Sequence, residues 1–136
     1  MNYQIIYCAG TSTGSLFYGN PSPELIDNCI NELIPVKDRF VILEPSKRVN
    51  GFTLLQVIMN RHPGVGLLYW VEARLVDDEG NWEQYGLDFS DIEEVKKMFR
   101  LFAHEVTPDI SSWENITEQL QQELLEKKQK KSDGDL

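Results

Sequence analysis

Residues 66–89 read GLLYWVEARLVDDEGNWEQYGLDF. Leu67, Tyr69, Val71, Ala73 and Leu75 are apolar and Glu72 and Arg74 fall between them, the period-two pattern of a half-buried strand. Asp77-Asp78-Glu79-Gly80-Asn81 follows with residues that accept turn geometry. From Trp82 to Phe89 a second strand sets Tyr85, Leu87 and Phe89 against Gln84, Gly86 and Asp88. The stretch therefore predicts a hairpin with one buried and one open side. Between Glu72 and Glu94 the chain places nine carboxylates against one cation, Arg74, so most of the net charge of −9 is concentrated there. Such a concentration repels itself and calls for a basic complement, most naturally a basic protein surface.

Upstream, Asn2–Ala9 has the apolar and aromatic density of a strand, and Leu16-Phe17-Tyr18 suits a short further one. The Gly10–Gly14 segment between them is read as a loop. It lacks the Gly-Lys-Ser/Thr ending that would reach phosphates and metal. Ser22 can cap a helix that has Pro23 at its first position, with Leu25, Ile26, Cys29, Ile30, Leu33 and Ile34 on one face and Asp27 toward water. A strand at Arg39–Glu44 and another at Phe52–Asn60 flank an Asn50-Gly51 hairpin signal. The second of these is apolar on both faces, which places it in the sheet interior.

Downstream, Ser90 and Glu93 have capping-box spacing ahead of a stripe formed by Ile92, Val95, Met98, Phe99 and Phe102. A third helix is predicted to open at Ser111–Glu114, with Trp113, Ile116, Leu120 and Leu124 on one side. The expected fold class is α+β: an antiparallel sheet of about five or six strands with helices packed on one face. The other face would be partly open and would carry Leu68, Trp70, Glu72 and Arg74. Trp70 there would either meet a protein partner or lie beneath a loop or third layer.

A chain of 136 residues with 41% hydrophobic content suits one domain. Its boundaries are drawn at 1–125, with a flexible polar C-terminal tail at 126–136. A pI near 4.6 argues against direct nucleic-acid binding. Cys8 and Cys29 have neither CxxC nor metal-site spacing and are expected as reduced core thiols. Residues 1–10 lack a basic leader, and no run approaches the roughly 20 apolar residues of a membrane helix. A cytoplasmic protein without membrane association is expected.

Catalytic signals are thin. His62 and His104 stand alone, HExxH and G-x-S-x-G are absent, and Asp77–Asn81 departs from the calcium-loop pattern. No catalytic residue, cofactor or metal is expected, and the chain is read as a non-enzyme.

The Asn20-Pro21-Ser22 helix start, the helix ending Asn31-Glu32-Leu33, the strand Phe40–Glu44, the Tyr69–Glu72 strand, and Val95–Phe102 leading to Pro108-Asp109 and Trp113 resemble a family of bacterial immunity proteins. These are the cognate inhibitors of polymorphic and contact-dependent toxins, in particular the first-numbered Imm-type family. The resemblance spans roughly residues 20–116 and implies a cytoplasmic protein that blocks the active site or substrate surface of a toxin, often a deaminase or nuclease. On that reading Glu72, Asp77, Asp78, Glu79, Glu83 and Asp88 supply charge toward a basic toxin groove, and Trp70, Trp82 or Tyr85 supply anchors. The alternatives are a small enzyme or small-ligand-binding domain using the open sheet face, and a homo-oligomer paired through it.

Overall fold

The computed structural model describes residues 2–8, 14–36 and 39–134, so most of the Gly10–Gly14 loop lies outside the described residues. Ten elements follow in order: β1 (Tyr3–Cys8), β2 (Gly14–Gly19), α1 (Pro23–Asn31), β3 (Val41–Pro45), β4 (Phe52–His62), β5 (Gly66–Val76), β6 (Trp82–Phe89), α2 (Ile92–Phe102), β7 (Glu114–Asn115) and α3 (Thr117–Gly134). The strands form one sheet in the order β2-β1-β3-β4-β5-β6-β7, and every neighbouring pair is antiparallel. The fold is α+β.

The core lies on one face of this sheet. Tyr3, Ile5, Val41, Leu43, Leu55, Val57, Val71 and Ala73 are buried there beneath Ile26, Cys29 and Ile30 of α1 and Val95, Phe99 and Phe102 of α2. Tyr3 ties β1 to the end of α2 by donating its hydroxyl to the Phe102 carbonyl at 2.5 Å. Its ring meets that of Phe102 edge-on at 6.0 Å. The two helices are also joined by charge. Asp27, predicted to face water, accepts from Arg100 at 2.8 and 3.1 Å, because α1 packs against α2 and brings the two side chains together across their seam.

β4 is interior, between β3 and β5. A register shift between Phe52 and Leu54 puts Phe52 in the core alongside Leu55 and Val57. Simple alternation would have set it on the opposite face with Leu54. The Asn50-Gly51 signal is realised, with positive φ at both residues (50° and 86°).

Several boundaries differ from the sequence reading. β3 begins at Val41 rather than Arg39. Ile34 is exposed because α1 ends at Asn31. The cap of α2 is Asp91, whose carboxylate accepts from the Glu93 amide at 2.9 Å, rather than a Ser90–Glu93 box. A carboxylate one residue nearer the helix adds charge where the dipole favours it. Residues 111–115 do not open the third helix. Trp113 sits in a turn with its ring 5.9 Å from Phe89, and Glu114–Asn115 pair with β6 as a short edge strand. Asn115 then accepts from the Thr117 amide at 3.0 Å and starts α3 there. That helix runs through Gly134, past position 126, where the sequence reading sets the start of a tail. No helix among the described residues is long and apolar enough to cross a membrane.

Cys29 is a free thiol buried in the α1 core face. Burial, helped by the Glu32 charge, pushes its pKa up to about 11 from 9.0. The folded state holds the proton longer than the unfolded chain, so this contribution to stability is complete below pH 9.0 and is lost as pH rises toward about 11. The urea midpoint should therefore fall more steeply over that interval in the native protein than in a Cys29→Ala variant; parallel pH profiles would refute the assignment.

Candidate functional site

The face opposite α1 and α2 is set by register. Trp70 stands opposite Asp88, Glu72 opposite Gly86, Arg74 opposite Gln84 and Val76 opposite Trp82 on the β5–β6 side, while Gln56 stands opposite Glu72 from β4. Directly opposed residues share a face, so these side chains form one constellation on the open side.

Glu72 is its centre. One carboxylate oxygen accepts from Trp70 Nε1 at 3.0 Å, and the other accepts from Gln84 Nε2 at 3.1 Å and from Gln56 Nε2. Gln84, only 2% exposed, spends its amide oxygen on Arg74 Nε at 2.7 Å. The Arg74 guanidinium lies 4.6 Å from the centre of the Trp82 ring, within cation–π range. A chain of polar contacts thus runs from Trp70 through Glu72, Gln84 and Arg74 to Trp82 and fixes both indoles. Trp70 is seated against Gly86, where an added Cβ would lie 2.2 Å from its Cζ2. Glycine is required there by space, not by backbone angle.

α3 overhangs this face from the β7 edge. Its start is pinned to β6 twice: the Gln84 amide donates to Thr117 Oγ1 at 2.9 Å and the Ile116 amide donates to the Gln84 carbonyl at 2.9 Å. Two clefts result. One of about 430 Å³ is lined by Trp70, Glu72, Glu114, Leu120 and Glu123 among others. The other, of about 660 Å³, runs between Trp82 and Leu124 and Leu125 of α3. Trp70 is half-buried and borders the α3 cleft.

The predicted site residues separate into three groups. Trp70, Glu72, Trp82 and Asp88 share the open face. Glu83 and Tyr85 are on the other side, in register with Leu75 and Ala73, and the Tyr85 hydroxyl donates to the Glu83 carboxylate. That bond is the main cause of the raised Tyr85 pKa. The turn carboxylates form the third group and do different things. Asp77 accepts from the Glu79 and Asn81 amides, both at 2.9 Å. The Asn81 amide is the main reason its pKa is held below the ordinary value. Asp78 pairs with Arg48 at 2.7 Å, and Arg48 also donates to the Val76 carbonyl. Asp77 is therefore a turn-holding residue.

Gln56, Gln84 and Gly86 join the site without having been singled out by sequence. The five-residue turn fixes the Val76–Trp82 pairing, and counting back from it would have placed Gln84 and Gly86 opposite Arg74 and Glu72. Gln56 had no such signal. Among the described residues, no three His, Cys, Asp or Glu side chains converge as metal ligands.

Fold and face together define an antiparallel α+β domain with an aromatic and polar surface opposite α1 and α2 and overhung by α3. Comparison with protein-family models, with curated proteins and with solved structures finds no match to the chain.

Gly86→Ala should displace Trp70, cost about 1–3 kcal/mol in urea unfolding, and shift the tryptophan emission. Wild-type stability and emission in that variant would show that the indole does not rest on Gly86.

Proposed function

We propose that this chain is an immunity protein that binds and neutralises a cognate bacterial toxin, using the open sheet face as its contact surface. The observation that carries the reading is the two indoles Trp70 and Trp82, each held at one end of the Glu72–Gln84–Arg74 network on a face the two core helices leave uncovered. Preordered aromatic side chains lose little entropy on binding and are favoured as interface anchors. The net charge of −9 supports a basic partner. Toxins acting on nucleic acids carry basic grooves, which fits a deaminase or nuclease, and acidic residues around the face would steer the encounter. The family resemblance of residues 20–116 points the same way. The protein acts in this reading as a non-enzymatic cytoplasmic inhibitor.

The small-ligand alternative is favoured by one observation, the cleft beside α3 that sets Trp70 against Glu72, Glu114 and Glu123. Its dimensions and charge suit an organic cation. Thermal stabilisation by a simple polyamine, without any protein partner, would favour it.

The defining experiment is co-purification with the catalytically disabled product of the gene immediately upstream. A tight one-to-one complex supports immunity, and failure to bind sinks it. Within such a complex, replacing Asp78, Glu79 and Asp88 with Ser while keeping Asp77 should slow association about tenfold at low salt and flatten its salt dependence. Unchanged association kinetics would remove these carboxylates from the encounter. Trp70→Ala should raise the dissociation rate by an amount equivalent to about 2 kcal/mol or more. A lowered melting temperature with unaltered dissociation would instead make Trp70 purely structural.

A further inference from the structure

The β4–β5 hairpin runs past the strands that flank it. β4 and β5 pair out to His62 and Gly66, whereas the β3–β4 ladder ends at Val41–Val57 and the β5–β6 ladder ends at Tyr69–Phe89. Beyond Val57, β4 therefore has β5 on one side and, among the described residues, no strand on the other. Nor does any backbone hydrogen bond among the described residues join Ile58–His62 to the segment leading from α1 into β3. An edge with free amides and carbonyls is a template for another strand.

A cleft of about 440 Å³ lies along this edge, between Ile58, Met59, Asn60 and Arg61 of β4 and Val36 and Arg39 of the α1–β3 connection. Consecutive strand residues point to opposite faces of a sheet, so a cleft that all four line meets the edge of the strand and not one of its faces. Its surroundings are partly apolar: Val36 is 50% exposed, and Leu67, which stands opposite Arg61, is 42% exposed.

Two arginines indicate what the added strand carries. Among the described residues neither Arg39 nor Arg61 has a carboxylate within ion-pair distance, in a chain with 22 acidic residues against 13 Lys and Arg. Arg61 by itself is explained as a charge that discourages edge pairing. Arg39 is not, because its Nε is buried without a hydrogen-bond partner among the described residues. The same is true of His62 Nε2, at the end of the same edge. A buried donor left unpaired is costly, and a guanidinium is shaped to take a carboxylate.

We infer that the Ile58–His62 edge is a strand-addition site for an extended segment of a partner protein, which pairs with the β4 backbone and sets an Asp or Glu side chain against Arg39 and Arg61. Main-chain hydrogen bonds supply affinity in this mode, and the arginines select the side chain. The site uses the rim of the sheet and not its indole face. A basic toxin groove would meet like charge here, so this inference does not rest on the toxin reading.

The test titrates the full chain, observed through its amide resonances, with the acetylated and amidated peptide Thr-Val-Thr-Asp-Thr-Val-Thr. The expected result is saturable shifts of the Ile58–His62 amides, several-fold weaker binding when the peptide's Asp is replaced by Asn, and no binding when its backbone nitrogens are methylated. Arg39→Gln should weaken binding of the Asp peptide and leave that of the Asn peptide unchanged, which a general loss of structure would not do. The peptide comparisons decide the matter even if that variant fails to fold. Absence of shifts at these amides, or equal binding of the Asn peptide, would overturn the inference. So would methylated peptide that still binds, or acetate alone reproducing the shifts, which would mark a small-anion site in place of a strand-addition site.

Discussion

The pairing of β5 with β6 is the constraint on which both faces of the molecule depend. Side chains alternate along a strand, so a slip of one residue would send Val71 and Ala73 to solvent and drive Glu72 and Arg74 into the core. The five-residue turn prevents that slip, and Asp77 organises the turn by taking two backbone amides on one carboxylate oxygen. Arg48 reaches across from the preceding hairpin to the Val76 carbonyl and to Asp78, bracing the same corner. Carboxylates that look like binding charge are in part the device that sets the register.

The two faces are then stabilised by different physics. Beneath the helices, fully buried Val95, Phe99 and Phe102 contribute about 1.5–3 kcal/mol each through removal of apolar surface from water. On the open face the half-buried carboxylate of Glu72 takes three donors, which offsets the cost of partly desolvating it. Such a network has directional demands that an apolar cluster lacks, and its consequence is position: it holds two indoles where a partner can meet them. Gly86 is part of the same arrangement, because any side chain there would lift Trp70 from the sheet.

How much of this was legible followed from the range of the interactions. The β5–β6 hairpin, the apolar stripe of α2, that of α1 as far as Ile30, and the Asn50-Gly51 turn are local patterns, and each is found where the residues predict it. The misplaced features depend on distant pairing. Trp113 reads as the first residue of a helical stripe, but Phe89 and the β6 edge claim that segment for a turn and a strand. Phe52 changes face because of a register shift at its neighbour, and Asp27 is drawn from water by Arg100, 73 positions away. Within the site, Trp70 and Glu72 were visible as off-phase residues in an apolar strand. Gln84 could be reached by counting back from the turn, but Gln56 could not, since an amide has no signature until its cross-strand partner is known. Tyr85 was proposed as an anchor although its phase already placed it with Leu87 and Phe89.

The distribution of charge then becomes interpretable as a division of surfaces. Acidic residues gather on the β5–β6 hairpin and the first turn of α2, whereas the densest run of lysines is at the far end of α3. Were these charges mixed, they would neutralise each other locally and the molecule would present no preferred orientation to a charged partner. Kept apart, they give the chain an acidic aromatic face and a separate helix with a lysine-rich end. The tether of α3 at Gln84 connects the two, because the same residue that bonds Glu72 and Arg74 in the open-face network also anchors the start of the overhanging helix. Gln84 is therefore shared between the network that seats Trp70 and the anchor that sets where α3 begins.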